Sequence, residues 1–236
     1  MKSQNIGLFL FPFFAAMHLI YALTSFSFIG GLGFAAIAFM CVELITFWDN
    51  FIIAIGNRVG VGVRLERLNW VRFFFHGTFI SLLLPVYLII GQRQGLTFFD
   101  GIVMQVVICV FVVAIACFGY ITGFKKVMSI VPTNYFGCLR YAQSVTELTA
   151  LEGHEYTAEQ KNAKVIPPLA AILTTLLNLI LSLWIGVAVD FWLPFIATAI
   201  IFSAASFPFG RWGALLTSAI EIIYSGILLY ALSLCI

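Results

Sequence analysis

Seven residues set in apolar sequence carry side chains able to do chemistry: His18, Glu43, Asp49, Asn50, His76, Asn178 and Glu221. An ionisable group at mid-bilayer costs roughly 2.5–3.5 kcal/mol on insertion scales, so each needs a partner, a cavity or a task. Glu43 and Asn50 fall on nearly one helix face, and Asp49 lies about 100° round from Asn50, alongside Thr46. Glu221 has Thr217, Ser218, Tyr224 and Ser225 three and four positions away, which makes a second polar stripe. A carboxyl group kept from water holds its proton and can deliver it, so two such acids suit acid-initiated chemistry. The competing reading is structural: each carboxylate pairs with a His, Tyr or Asn and locks helices together.

A second group recurs in "LNWVRFFFHG", where Asn69, Arg72 and His76 share a helix face. Arg72 is expected at the interface, with His76 one turn deeper, so an Asp49–Arg72 or Asp49–His76 pair would offset burial. Asp49, Asn50, Arg72 and His76, with Trp48 and Tyr224, form the expected substrate-binding set. Three His, scattered in sequence, predict no metal cluster, and no cofactor is expected. Gly56, Gly60 and Gly62 follow a helix and not a strand, so a dinucleotide loop fails on context. Beside Arg58, Arg64 and Arg67 these glycines either hold a lipid phosphate or form a basic loop resting on anionic lipid.

The elements that position these residues follow from composition. The 236 residues are 62% hydrophobic and 9% charged, which no soluble fold accommodates. The chain reads as one all-α polytopic membrane domain over residues 1–236, a bundle of about seven helices. Expected spans are 6–25, 31–55, 73–91, 101–124, 165–186, 188–206 and 213–235, with the first span retained and not cleaved. Seven spans put eleven of the twelve Lys and Arg on the N-terminal side and leave only Arg93 opposite, which predicts a cytosolic N-terminus. The membrane is an inner or plasma membrane, or the endoplasmic reticulum. Residues 56–72 and 125–164 become cytosolic loops. In the second, Leu139, Tyr141, Val145, Leu148 and Leu151 lie near helical spacing, which predicts an interfacial helix and then a turn at Gly153. Counted from the same membrane face, Glu43 is roughly 16 Å deep and Glu221 roughly 12 Å, so one cavity could receive both.

Five Cys without metal or redox spacing read as packing residues. A net charge of +2 does not point to nucleic acid. The last span contains no Lys for a retinal Schiff base, and the chain has no NDxxD, no GxSG and no clustered His. The 25 Phe, 5 Trp and 8 Tyr include rings beside the polar residues, as in "FLFPFFAAMH" and "RFFFH", and ring faces stabilise a carbocation.

Glu43 in "MCVELITFW" and Glu221 in "TSAIEIIYS" resemble the early and late acids of the integral-membrane terpene cyclases of meroterpenoid and indole-terpenoid pathways. Val42 stands where Trp commonly precedes the early acid, and the late acid is Glu where the family has Asp. The resemblance implies a membrane-embedded cyclase or isomerase-type lyase that protonates an epoxide or olefin of an isoprenoid or lipid, with Glu43 and Glu221 as proton donor and partner. The alternative is a small transporter, or a lipid-binding or scaffold subunit, in which Glu43, Asp49, His76 and Glu221 form a proton or ion path. In either case the partners are a hydrophobic small molecule or lipid and the surrounding membrane lipids.

Overall fold

A computed structural model describes residues 5–125, 130–163, 165, 167–206 and 212–236. Lys2, Lys126, Lys164 and Arg211, four of the cations counted above, lie outside the described residues. Among the described residues, six helical runs are long and apolar enough to cross a membrane. They are α1 (Gly7–Phe26), α3 (Phe34–Val59), the run Val63–Arg93, the run Ile102–Lys125, α8 (Leu169–Val189) and most of α10 (Gly213–Ser233). A four-residue turn of helix, α2 (Ile29–Leu32), precedes α3, and α9 (Leu193–Ser206) has 14 residues, fewer than the roughly 20 of an ordinary span. The chain is a helical, multi-pass membrane bundle.

The third run is two helices, α4 (Val63–Phe79) and α5 (Leu83–Arg93), joined by a tighter step at Ile80–Leu82. Pro85 lacks the N–H that would have bonded the Ser81 carbonyl, and this loosens the ladder there. The Ser81 hydroxyl donates across to the Val112 carbonyl at 3.1 Å, which ties the step to α6 (Ile102–Gly119). Beyond α6 the chain continues as a π-helical segment, Tyr120–Lys125.

Two of the expected loops are not loops of that kind. α3 extends to Val59 and α4 begins at Val63, so the 56–72 loop contracts to residues 60–62. Gly60 and Gly62 take φ of 77° and 148°, which turns the chain, while Leu65, Glu66, Arg67 and Leu68 are good helix formers. The interfacial helix over 139–151 is replaced by an antiparallel hairpin, β1 (Val131–Tyr135) and β2 (Cys138–Ala142), with Thr133 opposite Arg140. Phe136 and Gly137, both at positive φ, close the turn, and such a two-residue turn matches strand twist. Pro132 also disfavours helix at that point. Leu139, Tyr141 and Val145 are buried as a helix would have had them, but Leu148 is exposed. The turn at Gly153 is present, at φ 76°. A single helical turn, α7 (Ala158–Lys161), follows under a Thr157–Gln160 capping box.

The hairpin caps one end of the bundle. Gly7 at the start of α1 donates to the Phe136 carbonyl at 3.0 Å, and Leu215 N on α10 donates to the Tyr135 hydroxyl at 3.3 Å. From the end of α3, the Asn57 amide donates to the Gly137 carbonyl at 2.6 Å and accepts from Leu139 N at 2.7 Å, so one side chain serves the strand edge as a partner strand would. At the opposite end Arg93 donates to the Gly31 carbonyl and Gln94 donates to the Cys235 thiol.

Two glycines allow the close approaches that shape the capped end. A Cβ on Gly56 would lie 1.7 Å from the Leu139 carbonyl oxygen, and one on Gly119 would lie 1.8 Å from that of Gly77. Gly56 therefore seats the hairpin on α3, and Gly119 lets α6 touch α4. Gly56→Ala is expected to lower stability by about 1–3 kcal/mol and to expose the hairpin to protease in detergent. Gly213→Ala, where an added Cβ meets nothing within 4 Å, is expected to do neither.

Candidate functional site

The buried face of α1 repeats through Phe11, Phe14, Ala15, His18, Ala22 and Ser25, the spacing of one helix stripe. It packs along α3, whose own buried stripe contains Phe39, Val42, Glu43, Thr46 and Asn50. The two stripes bring His18 Nδ1 to 2.7 Å from Glu43 Oε2. From α10 the Ser225 hydroxyl donates to Glu43 Oε1 at 2.6 Å. Both carboxylate oxygens are satisfied, and His18 and Glu43 are 0% and 1% exposed. His18 Nε2 and the Asn178 side-chain oxygen are buried without a hydrogen-bond partner among the described residues.

These groups line an inner cavity of about 80 Å³ in the middle of the bundle. Its wall draws His18 from α1, Glu43 and Thr46 from α3, His76 from α4, Asn178 from α8, and Glu221, Tyr224 and Ser225 from α10. The two acids expected to face one cavity do so. Glu43 is locked by partners from two other helices, whereas no hydrogen bond joins the Glu221 carboxyl to a described residue. Tyr224 lies on the far wall, where Tyr87 donates to its hydroxyl at 3.3 Å and also bonds Thr198 at 2.6 Å.

An outer cavity of about 570 Å³ opens under the hairpin. Asp49 and Arg72 stand on its wall as an ion pair, with Arg72 Nε 2.6 Å from Asp49 Oδ1. Arg72 Nη1 also donates to Asn69 Oδ1 at 3.2 Å, and the guanidinium lies 4.9 Å from the Phe73 ring centroid. The hairpin contributes Thr133, Tyr135 and Arg140. The Arg140 guanidinium sits 4.1 Å over the Tyr135 ring, and its Nε is buried with no partner among the described residues. Burial, then the nearby Arg72, lower the Arg140 pKa to about 10, with Tyr135, Asp49 and Cys138 opposing; at neutral pH the guanidinium keeps its charge. Phe73, Pro167, Pro168 and Leu169 form an apolar flank. His76 and Ala171 border both cavities and stand between them.

Of the residues picked out from sequence, Glu43, Glu221, Tyr224 and His76 meet at the inner cavity, and Asp49, Arg72 and His76 at the outer one. Asn50 lines neither: its amide donates to the Thr46 carbonyl at 3.0 Å within α3. Trp48 lines neither, packing instead in the cluster of Ile52, Leu65 and Leu139. Sequence reasoning passed over Arg140, and it picked out His18 and Ser225 as polar residues of their spans without assigning them to Glu43. The signal for Arg140 was the alternation around Phe136-Gly137, and for Ser225 its place four residues after Glu221. No group of three or more His, Cys, Asp or Glu able to hold a metal ion occurs among the described residues.

Removing one member of a buried pair strands the other. His18→Ala and Glu43→Ala are each expected to cost about 3–5 kcal/mol, and the double variant less than their sum. Additive losses in a double-mutant cycle of detergent unfolding would show the two side chains to be uncoupled. Compared with known proteins, the chain matches no protein-family model, no curated protein and no solved structure.

Proposed function

We propose that this chain is a membrane-embedded enzyme that transfers a proton to a hydrophobic isoprenoid or lipid substrate, starting an isomerisation or cyclisation as the integral-membrane terpene cyclases do. The observation that carries this reading is the arrangement of two cavities in series inside an apolar bundle. Ligand pockets measure about 300–1,000 Å³, and the outer cavity falls in that range. The inner one, at about 80 Å³, admits water or the tip of a chain but not a folded polyene. Substrate therefore occupies the outer cavity, with its reacting end reaching past His76 toward the acids.

Glu221 acts as the donor and the Glu43–His18 pair as its fixed partner. The Glu221 proton adds to an olefinic carbon, which takes the electron pair of the π bond, or to an epoxide oxygen, which uses a lone pair and then keeps the pair of the C–O bond as that bond breaks. The adjacent carbon becomes cationic, and the ring face of Tyr224 stabilises it. Loss of a neighbouring proton to a carboxylate restores neutrality and re-arms the acid.

The bundle has seven passes with the capped end in the cytosol of an inner, plasma or endoplasmic reticulum membrane. Three contacts support the count. Trp184 near the end of α8 packs on Phe98 and Phe99 at the Arg93 end, α10 begins on Tyr135 of the hairpin, and α10 finishes beside Gln94. α9 must then run from the Arg93 end to the capped end, at roughly 1.5 Å per residue or about 21 Å in all. Arg58, Arg64 and Arg67 are exposed at the capped end, as a cytosolic face requires.

The ionisable groups running from Arg72 through His76 to Glu43 favour a second reading, a proton path. Against it stands the other half of the bundle, where Leu84, Ile90, Leu228 and Leu232 are fully buried. The test compares lipid extracts of cells expressing the wild type, Glu221→Gln and Glu43→Gln by mass spectrometry. A product specific to the wild type is expected to fall about 10²–10⁴-fold in Glu221→Gln. Unchanged product in both variants ends the proton-transfer reading.

A further inference from the structure

The outer cavity has more cationic than anionic groups on its wall. Asp49 answers one guanidinium, that of Arg72, through Nε. Arg140 has no carboxylate partner within salt-bridge distance among the described residues, and its buried Nε is unsatisfied. A buried donor left without an acceptor costs about 1–3 kcal/mol, more when charged, so this arrangement calls for an acceptor to arrive from outside. Both guanidinium planes are held by rings, Arg72 against Phe73 and Arg140 against Tyr135, which fixes their orientation before a ligand binds. Fixed, paired guanidinium groups match the oxygens of a phosphate, which they bind through parallel N–H bonds. The lining also includes hydrocarbon: Phe73, Pro167, Pro168 and Leu169.

We propose that the outer cavity is a phosphate-binding site for an amphipathic ligand, with Arg140 and Arg72 as the receptors of the phosphate and the Phe73–Leu169 flank as the seat of its chain. This deepens the enzymatic reading and rests on it only for the chain's course toward His76. It also gives Asp49 a definite task. By pairing with Arg72 through Nε it holds that guanidinium at the wall and leaves the anion to share Arg140. The hairpin, seated by Gly56 and Asn57, is the element that brings the second guanidinium over the membrane-spanning helices.

The test uses the full chain in nanodiscs of phosphatidylcholine, doped with phosphatidate, and reads bound lipid by native mass spectrometry. Wild type is expected to retain phosphatidate at least tenfold over phosphatidylcholine. Arg140→Gln is expected to lose that preference, and Arg140→Lys, which keeps the charge but not the planar fork, to retain part of it. Arg58→Gln, an exposed cation at the same end, serves as the control for surface attraction and is expected to match wild type. Inorganic phosphate is added in a parallel arm. Release of phosphatidate only by excess lipid upholds a headgroup site with its chain, whereas stabilisation by inorganic phosphate without any preference for phosphatidate assigns the site to a free anion and overturns the amphipathic ligand. Equal retention of the two lipids by wild type, or wild-type preference in Arg140→Gln, overturns it. Because binding needs no turnover, Glu221→Gln should keep the preference while losing product, so the binding and catalytic readings fail separately.

Discussion

A carboxylate at the centre of an apolar bundle is tolerated only if its oxygens are occupied, and Glu43 meets that condition with partners from two other helices. His18 comes from α1 and Ser225 from α10, so three elements distant in sequence are tied at one point. Once those helices are fixed, Glu221 one turn before Ser225 necessarily faces the same space, and His76 closes it from α4. The inner cavity is thus a consequence of satisfying one buried acid. Its remaining unsatisfied atoms, His18 Nε2 and the Asn178 oxygen, are the places where water or a substrate group would be held.

The outer cavity depends on a different constraint, the close approach of backbones at glycine. Without Gly56 the hairpin could not sit on α3, and without Gly119 the end of α6 could not lie against α4. The hairpin then exchanges hydrogen bonds with α1, α3 and α10, so it acts as a lid fixed at several edges. This geometry carries Arg140 to the wall opposite Asp49 and Arg72. The two cavities adjoin at His76, with guanidinium groups lining the one at the capped end and carboxyl groups lining the deeper one.

Much of this was legible residue by residue. Helical spacing and depth along the spans allowed Glu43 and Glu221 to face one cavity, and the packing of α3 and α10 around it realises that possibility. Shared depth left Asp49 to pair with Arg72 or with His76, and the ion pair is with Arg72. The His18–Glu43 bond was not legible, because it depends on which helix neighbours which, and periodicity within one span does not encode that. Asn50 shares a helix face with Glu43, but its amide is taken up by the Thr46 carbonyl within α3, and Trp48 packs against Ile52 and Leu65 instead. Arg140 was hidden because the hairpin turns at Phe-Gly, where an aromatic residue occupies a left-handed position that Asn or Gly ordinarily takes. The helical spacing of Leu139, Tyr141, Val145, Leu148 and Leu151 was a coincidence of strand alternation and loop packing.

The central claim is that the two cavities hold one lipid-like molecule between them. The most direct measurement is an experimental density map of the full chain in nanodiscs made from its native membrane lipids. The account predicts one elongated density with its head between Arg72 and Arg140 and its tail passing His76 toward Glu221. An outer cavity holding only water, with a hydrated path continuing past Tyr224 to the Arg93 end, would contradict it and favour conduction.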